Sequence, residues 1–171
     1  GAEVTLVTGP TSLEKPFFVN TIPVVTAEEM YQAVTDAFAE QDIVVMAAAV
    51  ADYRPKTVAD EKIKKADGGL ALEMERTKDI LRTVSARKEN QFLCGFSMET
   101  QHLKENSKAK LEKKKLDMIV ANNLKVKGAG FGTDTNVVTL ITAAEEKELP
   151  IMSKDEVAAA IFDEILSKMQ A

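Results

Sequence analysis

The sequence predicts an α/β fold with a mostly parallel sheet, helices on both faces and a C-terminal antiparallel extension. Three observations support this: short β-rich runs alternate with helical repeats, one run (DIVVMAAAV, 42–50) suits the middle of a parallel sheet, and two late runs are joined by a short turn. Strands that alternate with helices pair in parallel through right-handed crossovers. We therefore expect a layered sheet rather than a bundle or a barrel.

The N-terminal part is predicted to hold three strands and one helix. The strands are expected at EVTLVTG (3–9), FFVNTIPVV (17–25) and DIVVMAAAV (42–50). A helix is expected after Thr26, because Thr26 and Glu29 have the spacing of a capping box and apolar residues then recur at helical intervals.

The same alternation continues to the C-terminus. Strands are predicted at LALEMER (70–76), FLCGF (92–96) and DMIVANN (117–123), and helices at 79–88 and 100–115. The runs NVVTLIT (136–142) and KELPIM (147–152) are expected to form a hairpin through AAEE. Ser153 and Glu156 form a second capping box, and the last helix is predicted to bury a stripe of four residues: Val157, Ile161, Ile165 and Met169.

Composition limits the class of protein. The chain has 171 residues, of which 45% are hydrophobic, so a single domain over 1–171 without disulfides is expected. One cysteine and one histidine make a structural zinc site improbable and favour a reducing, cytoplasmic setting. The net charge of -5 argues against a nucleic-acid partner, and no apolar run is long enough to predict a membrane partner.

The segment AAAVADYRPKTVADEKIKK (47–65) marks the candidate site. In open parallel sheets, ligands bind beyond the carboxyl ends of the strands. Asp52 follows a predicted strand there, and a lysine cluster, headed by Lys62, comes shortly after it. A carboxylate that could hold a divalent ion, together with cations for phosphates, is what triphosphate chemistry requires. The glycine-rich stretch KGAGFGTD (127–134) is a candidate flap.

Other interpretations of these residues remain open on pattern alone. Asp52 could equally cap a turn, and the lysines of 100–115 are typical of a solvated helix face. Phe96 taken by itself would be a core residue, and Cys94 would be an inert buried thiol. A nicotinamide or flavin enzyme is disfavoured, because no G-x-G-x-x-G turn follows the first strand. The pattern alone therefore supports a nucleotide-handling α/β domain.

Six blocks together resemble the bacterial phosphopantothenate-cysteine ligase family of coenzyme A biosynthesis, also called phosphopantothenoylcysteine synthetase: AAAVADYRP, EKIKK, LEMERTKDIL, GFSMET, LDMIVANN and GFGTDTNVVTLI. The resemblance implies a Rossmann-like homodimer in the cytoplasm. It also implies an enzyme that activates 4'-phosphopantothenate with CTP and Mg²⁺, releases pyrophosphate, and lets the cysteine amine displace CMP from the acyl-cytidylate.

The resemblance also implies residue roles. Lys62 matches a catalytic lysine that contacts the triphosphate, and Asp52 matches a residue at the nucleotide and its metal ion. Asn122 and Asn123 match a block that we assign loosely to the phosphopantothenate side. The other implied nucleotide-binding residues are Ala48, Ala49, Ala51, Phe96, Lys110 and Lys114.

One departure from the family pattern leads to a further expectation. Relatives normally open with a strand, a glycine-rich loop and a block resembling R-x-I-x-N-x-S-S-G-x-M-G, whereas this sequence starts with GAEVTLVTGP, which follows that block in the family. We therefore expect the ligase domain to be N-terminally incomplete here. A noncatalytic nucleotide-binding fragment or subunit of such an enzyme is the alternative function.

Overall fold

The structure, a computed structural model, describes residues 1–64, 69–99, 103–123 and 134–170. In chain order its elements are β1 (Thr5–Thr8), β2 (Asn20–Pro23), α1 (Ala27–Ala37), a 3₁₀ turn (Phe38–Glu40), β3 (Ile43–Met46), β4 (Tyr53–Pro55), β5 (Met74–Arg76), α2 (Ile80–Ala86), β6 (Phe92–Glu99), α3 (Leu103–Lys113), β7 (Met118–Asn123), β8 (Thr135–Asn136), β9 (Val138–Ile141), β10 (Glu146–Glu148), β11 (Met152–Ser153) and α4 (Lys154–Met169).

The chain divides into two compact units. The first comprises 1–37 and 49–80, and the second comprises 38–48 and 81–171. The single ligase domain over 1–171 stays a prediction. Among the described residues, no helix combines the length and apolar content that crossing a membrane requires.

The first unit opens with a parallel strand pair and a helix. β1 and β2 pair from Thr5 opposite Asn20 to Thr8 opposite Pro23, and α1 contacts β1. The predicted capping box of α1 is confirmed, because the Glu29 backbone N–H donates to the Thr26 hydroxyl at 3.1 Å and the Thr26 N–H donates to the Glu29 carboxylate at 3.3 Å. The pKa of Glu29 is lowered chiefly by a hydrogen bond from the Val25 N–H to its carboxylate at 2.6 Å, and further by the bond from the Thr26 N–H.

An antiparallel pair, β4 with β5, completes the first unit and corrects one prediction. The run at 70–76 was expected to join the parallel sheet, but only Met74–Arg76 is a strand, and it pairs with a strand at 53–55 that was not predicted. Opposed side chains hold the two strands together: Arg54 bonds Glu75 at 2.8 Å, and the Arg76 guanidinium lies 5.8 Å from the Tyr53 ring. Three-residue strands with both faces exposed show no alternation, so their pairing could not be predicted.

The second unit is built on a five-stranded sheet in the order β10-β9-β7-β6-β3. β3, β6 and β7 are parallel neighbours, whereas β9 and β10 are antiparallel to the strands beside them. This confirms the predicted parallel sheet with a C-terminal antiparallel extension and the hairpin through AAEE. The run predicted as one strand at 147–152 is instead divided between β10 and β11, and β11 pairs with β8. β3 stops at Met46, four residues before the predicted end, so the alanines of 47–49 follow the strand instead of belonging to it.

Helices cover both faces of this sheet. On one face, Cys94 packs in a buried apolar cluster with Val157, Ile161 and Ile165 of α4. The next residue of the strand, Gly95, faces the opposite way, because strand side chains alternate. A Cβ at Gly95 would lie 3.0 Å from Leu116, so the strand and the segment after α3 approach each other closely. The predicted layers are therefore confirmed.

The two longer helices of this unit have well-defined ends. α3 ends in a Schellman arrangement. The Leu116 N–H donates to the Leu111 carbonyl at 3.0 Å, the Lys115 N–H donates to the Glu112 backbone carbonyl at 3.2 Å, and Lys115 has a φ of 48°. α4 begins with the predicted capping box of Ser153 and Glu156. Its predicted stripe is buried as far as Ile165, but Met169, the last residue of the helix, is 45% exposed.

Candidate active site

The predicted site residues are distributed between the two units, and each unit is considered by itself. The first unit contains Ala49, Ala51, Asp52 and Lys62, and the second contains Ala48, Phe96, Lys110, Lys114, Asn122 and Asn123. Lys65 and residues 124–133 lie outside the described part, so the predictions for the third lysine of the cluster and for most of the flap cannot be compared with the structure.

In the first unit, the Ala51–Asp52 segment is held by its backbone. The Thr77 N–H donates to the Asp52 carbonyl at 3.0 Å, and the Thr77 hydroxyl donates to the Ala51 carbonyl at 2.6 Å. The first bond continues the β4–β5 ladder by one residue, since Tyr53 already pairs with Arg76. The Asp52 side chain is left exposed to solvent. The carboxylate is thus accessible on a fixed backbone.

Lys62 and Lys64 lie in an exposed segment without regular secondary structure. Within the described residues, no ion pair joins either lysine to an acidic side chain. An ammonium group in this situation remains available to an anionic ligand. Ala49 and Ala51 are also exposed, so small side chains leave the backbone around Asp52 open to close approach.

In the second unit, Lys110 reaches the carboxyl end of β6. Its ammonium group donates to the backbone carbonyl of Phe96 at 2.6 Å. β3 pairs with β6 only as far as Gly95, so this carbonyl belongs to the first β6 residue beyond that pairing. Lys114 lies one turn after Lys110, and its N–H donates to the Lys110 carbonyl at 3.0 Å. The structure therefore brings Phe96 and Lys110, two of the predicted residues, together.

A buried hydroxyl pair fixes α3 against this strand. Ser97 Oγ and Ser107 Oγ are 2.7 Å apart, and both residues are buried. This contact sets the position from which Lys110 extends toward Phe96. Phe96 is partly buried and packs against the apolar cluster that contains Cys94 and the α4 residues. It therefore contributes to the core, as its pattern suggested, while part of it stays accessible.

The strand β7 contributes one polar atom without a partner. Asn122 Oδ1 is buried and, among the buried side-chain oxygens and nitrogens of the described residues, is the one that finds no hydrogen-bond partner. Asn122 pairs with Met98 on one side and Val138 on the other, at the same carboxyl edge as Phe96. A buried acceptor left unpaired is costly unless a ligand supplies a donor. For Asn123, the structure describes the backbone at the end of β7, and the prediction for its side chain lies outside the described part.

The single cysteine is confirmed as an inert core residue. Cys94 is fully buried, and burial, with a smaller contribution from Asp117, raises the pKa of its thiol to about 12. A thiol with that pKa is protonated at neutral pH and cannot act as a nucleophile. Covalent catalysis by this side chain is therefore not part of the candidate site.

The donor set around Asp52 fits a metal ion that arrives with a nucleotide. No group of three His, Cys, Asp or Glu side chains suited to a resident metal ion occurs in the described part of the chain. Mg²⁺ needs no such group, because it keeps several waters and is typically held by one or two carboxylates plus substrate phosphates. One exposed carboxylate is compatible with that arrangement.

Two residues that shape the surroundings of the predicted residues, one in each unit, escaped the sequence analysis. Thr77 appeared only within the block LEMERTKDIL, and nothing local indicated that it bonds a segment 25 residues earlier. Gly95 allows the close approach described above, and an isolated glycine inside an apolar strand was the available signal.

Comparison with known proteins places the chain in a family. Residues 1–169 match the family DFP, described as the DNA/pantothenate metabolism flavoprotein C-terminal domain. The chain belongs to the DFP family. The DFP assignment and the relatives below confirm the resemblance on which the residue predictions rest.

The similar proteins cover nearly the whole chain. A coenzyme A biosynthesis bifunctional protein CoaBC from Bacillus subtilis is 48% identical over 167 residues, which is 96% of this chain and 41% of the relative. The chain thus spans less than half the length of this curated relative. A solved C-terminal domain of a CoaBC protein superposes with a TM-score of 0.83 at 43% identity, covering 99% of this chain and 78% of that one.

A more distant structure shows the fold alone. A Cab2 mutant in complex with phosphopantothenate-cysteine superposes with a TM-score of 0.69 at 16% identity, covering 89% of this chain and 53% of that one. The predicted α/β fold is therefore shared beyond recognisable sequence similarity.

Proposed function

We propose that this DFP domain ligates cysteine to 4'-phosphopantothenate in coenzyme A biosynthesis. CTP activates the phosphopantothenate carboxylate with release of pyrophosphate, and the cysteine amine then displaces CMP. The observation that supports this most strongly is the 43% identity to the solved C-terminal domain of a CoaBC protein across 99% of the chain. The reaction takes place in the cytoplasm, and the working enzyme is a homodimer.

The charged residues have separate tasks in this proposal. Asp52 binds the nucleotide through its metal ion, because its exposed carboxylate stands on a backbone fixed by Thr77. Lys62 contacts the triphosphate and stabilises the charge that develops as pyrophosphate leaves, since no acidic side chain of the described residues neutralises it. Bound Mg²⁺ supplies further neutralisation of phosphate charge.

The second unit supplies the base and substrate contacts. The partly accessible Phe96 ring packs beside the cytosine. Lys110 of α3 and Lys114, which lies one turn later and directly after the helix, extend toward the nucleotide. Ala48, Ala49 and Ala51 line the nucleotide with small side chains. Asn122 and Asn123 bind phosphopantothenate, whose amide N–H groups could satisfy the unpaired Asn122 Oδ1.

Pyrophosphate release from the full-length protein tests this function. With CTP, Mg²⁺, 4'-phosphopantothenate and cysteine, we expect pyrophosphate, CMP and a product with the mass of 4'-phosphopantothenoylcysteine. CTP binding without pyrophosphate release would instead support a noncatalytic nucleotide-binding role and would contradict the ligase proposal.

A further inference from the structure

We propose that Thr77 is a positioning residue that holds the Ala51–Asp52 segment in the conformation that binds the metal-bound nucleotide. The proposal rests on the function proposed above and assigns a role to a residue outside the predicted site. Thr77 does not need to touch the ligand. It acts through the backbone of the residue that does.

The hydrogen bonds of Thr77 fix two consecutive carbonyl groups. Its N–H bonds the Asp52 carbonyl at 3.0 Å, and its hydroxyl bonds the Ala51 carbonyl at 2.6 Å. With both carbonyls fixed, the peptide between Ala51 and Asp52 cannot rotate freely. The Asp52 carboxylate is therefore attached to a fixed Cα, although its side chain is exposed.

Thr77 can impose this order because its own position is fixed on both sides. The preceding residue, Arg76, is the last residue of β5 and pairs with Tyr53. The following residue, Lys78, is ion-paired with Glu28 of α1, and its ammonium lies 4.6 Å from the centre of the Tyr31 ring. Thr77 thus joins the β4–β5 ladder to a segment anchored on α1, within a single unit.

This order matters because the segment before Asp52 has no regular secondary structure. Residues 47–52 lie between the end of β3 and the start of β4. The paired residues of β4 and β5 begin at Tyr53 and therefore do not include them. Ordering a flexible backbone on binding costs conformational entropy. Order established before the ligand arrives removes that cost from binding.

The hydroxyl can be tested separately from the backbone N–H. Thr77→Val keeps the shape and the N–H donor but loses the bond to the Ala51 carbonyl, whereas Thr77→Ser keeps both donors. In the full-length protein, we expect Thr77→Val to raise the Mg²⁺·CTP concentration for half-maximal pyrophosphate release by about tenfold with a smaller change in kcat. Thr77→Ser should restore a value close to that of the unsubstituted protein.

A double-mutant cycle distinguishes positioning from general stabilisation. If Thr77 acts through Asp52, then Thr77→Val should weaken CTP binding much less in an Asp52→Asn background than in the unsubstituted protein. A purely structural role predicts the same loss in both backgrounds. Thr21→Val is the matched control, since it removes a threonine hydroxyl bond to a backbone carbonyl, that of Val19, in the same unit.

The outcomes separate this inference from the proposed function. No pyrophosphate release by the unsubstituted protein overturns the function and this inference with it. Release by the unsubstituted protein, together with an unchanged CTP requirement in Thr77→Val, overturns the positioning role alone. An equal loss of CTP binding in the two backgrounds would also overturn the positioning role. A Thr77→Ser protein as impaired as Thr77→Val would do the same. Direct CTP binding by calorimetry should follow the same order as the kinetics.

Discussion

Lys62 and Asp52 carry opposite charges, and their removal is expected to impair different steps. Lys62→Gln should retain much of its CTP affinity but lose acyl-cytidylate formation by roughly 100-fold, because a cation matched to developing charge acts chiefly on the chemical step. Asp52→Asn should instead weaken CTP binding and raise the Mg²⁺ requirement. Single-turnover assays with parallel CTP binding on the full-length protein measure both effects.

Lys64 provides the matched control for Lys62. Both lysines are exposed in the same segment without regular secondary structure, so their electrostatic surroundings are similar. An exposed lysine that is merely solvated contributes little when removed. If Lys64→Gln and Lys62→Gln turn over at the same rate, the catalytic role of Lys62 is wrong.

The sequence showed which residues are candidates for the site, but it did not show the contacts that they make. Asp52 and Lys62 stood out because an acidic residue and then a lysine cluster follow an apolar run. Their roles were implied by the resemblance to the ligase family. The bond from Lys110 to the Phe96 carbonyl could not be predicted, because it depends on how α3 packs against β6. The two bonds of Thr77 likewise depend on a strand pairing that the sequence does not show.

The end of α3 offers a stability test at the scale of an element. Lys115 has a φ of 48°, a left-handed conformation in which a side chain is unfavourable and glycine is preferred. Lys115→Gly should therefore raise the free energy of unfolding by about 0.5–1 kcal/mol. Lys113→Gly, within the last turn of the same helix, should lower it by about 1 kcal/mol. Chemical denaturation of both variants decides this, and destabilisation by Lys115→Gly would contradict the assigned helix end.

Two acidic residues, at the start of the edge strand β10 and just before it, should make the stability of the second unit sensitive to acid. Hydrogen bonds from Lys168 lower the pKa of Glu145, and hydrogen bonds from Lys108 and then Lys104 lower the pKa of Glu146, both from an ordinary 4.5. A lowered folded-state pKa adds stability above the unfolded pKa, and that contribution is lost as the pH falls through the folded value.

We therefore expect thermal stability to fall as the pH drops below about 4.5. The thermal stability of the Glu145→Gln, Glu146→Gln double variant should fall less steeply over the same range. Thermal unfolding by circular dichroism across this range is the measurement. High salt should reduce the difference between the two proteins, because these ion pairs are exposed to solvent. Identical slopes at low salt would show that the ion pairs do not contribute.

Local signals predicted helix starts better than strand partners. The capping boxes of Thr26 and Ser153 are complete within four residues, so the sequence alone located the starts of α1 and α4. The strand pair β4–β5 joins residues about twenty apart and has neither alternation nor a short turn, so it was missed. Met169 was predicted to be buried, but it is the last residue of α4 and is exposed, because helical periodicity does not show where along a helix the packing stops.

At the scale of the whole molecule, we predict a homodimer in which each site borrows residues from the partner. The late antiparallel strands were expected to leave an exposed edge. The edge strand β10 is short and carries Glu146, Lys147 and Glu148, which is typical of an edge protected from pairing. The dimer prediction therefore rests on the family resemblance. Light scattering at micromolar concentration should show a dimer, and a fully active monomer would contradict it.

The central claim is that this DFP domain belongs to a CTP-using phosphopantothenate-cysteine ligase. The most direct measurement is pyrophosphate release by the full-length protein with 4'-phosphopantothenate, cysteine and Mg²⁺, comparing CTP with ATP at equal concentration. The account predicts rapid release with CTP, much slower release with ATP, and a product with the mass of 4'-phosphopantothenoylcysteine. Equal or faster release with ATP would contradict the assigned nucleotide, and no release with either would contradict the assigned reaction.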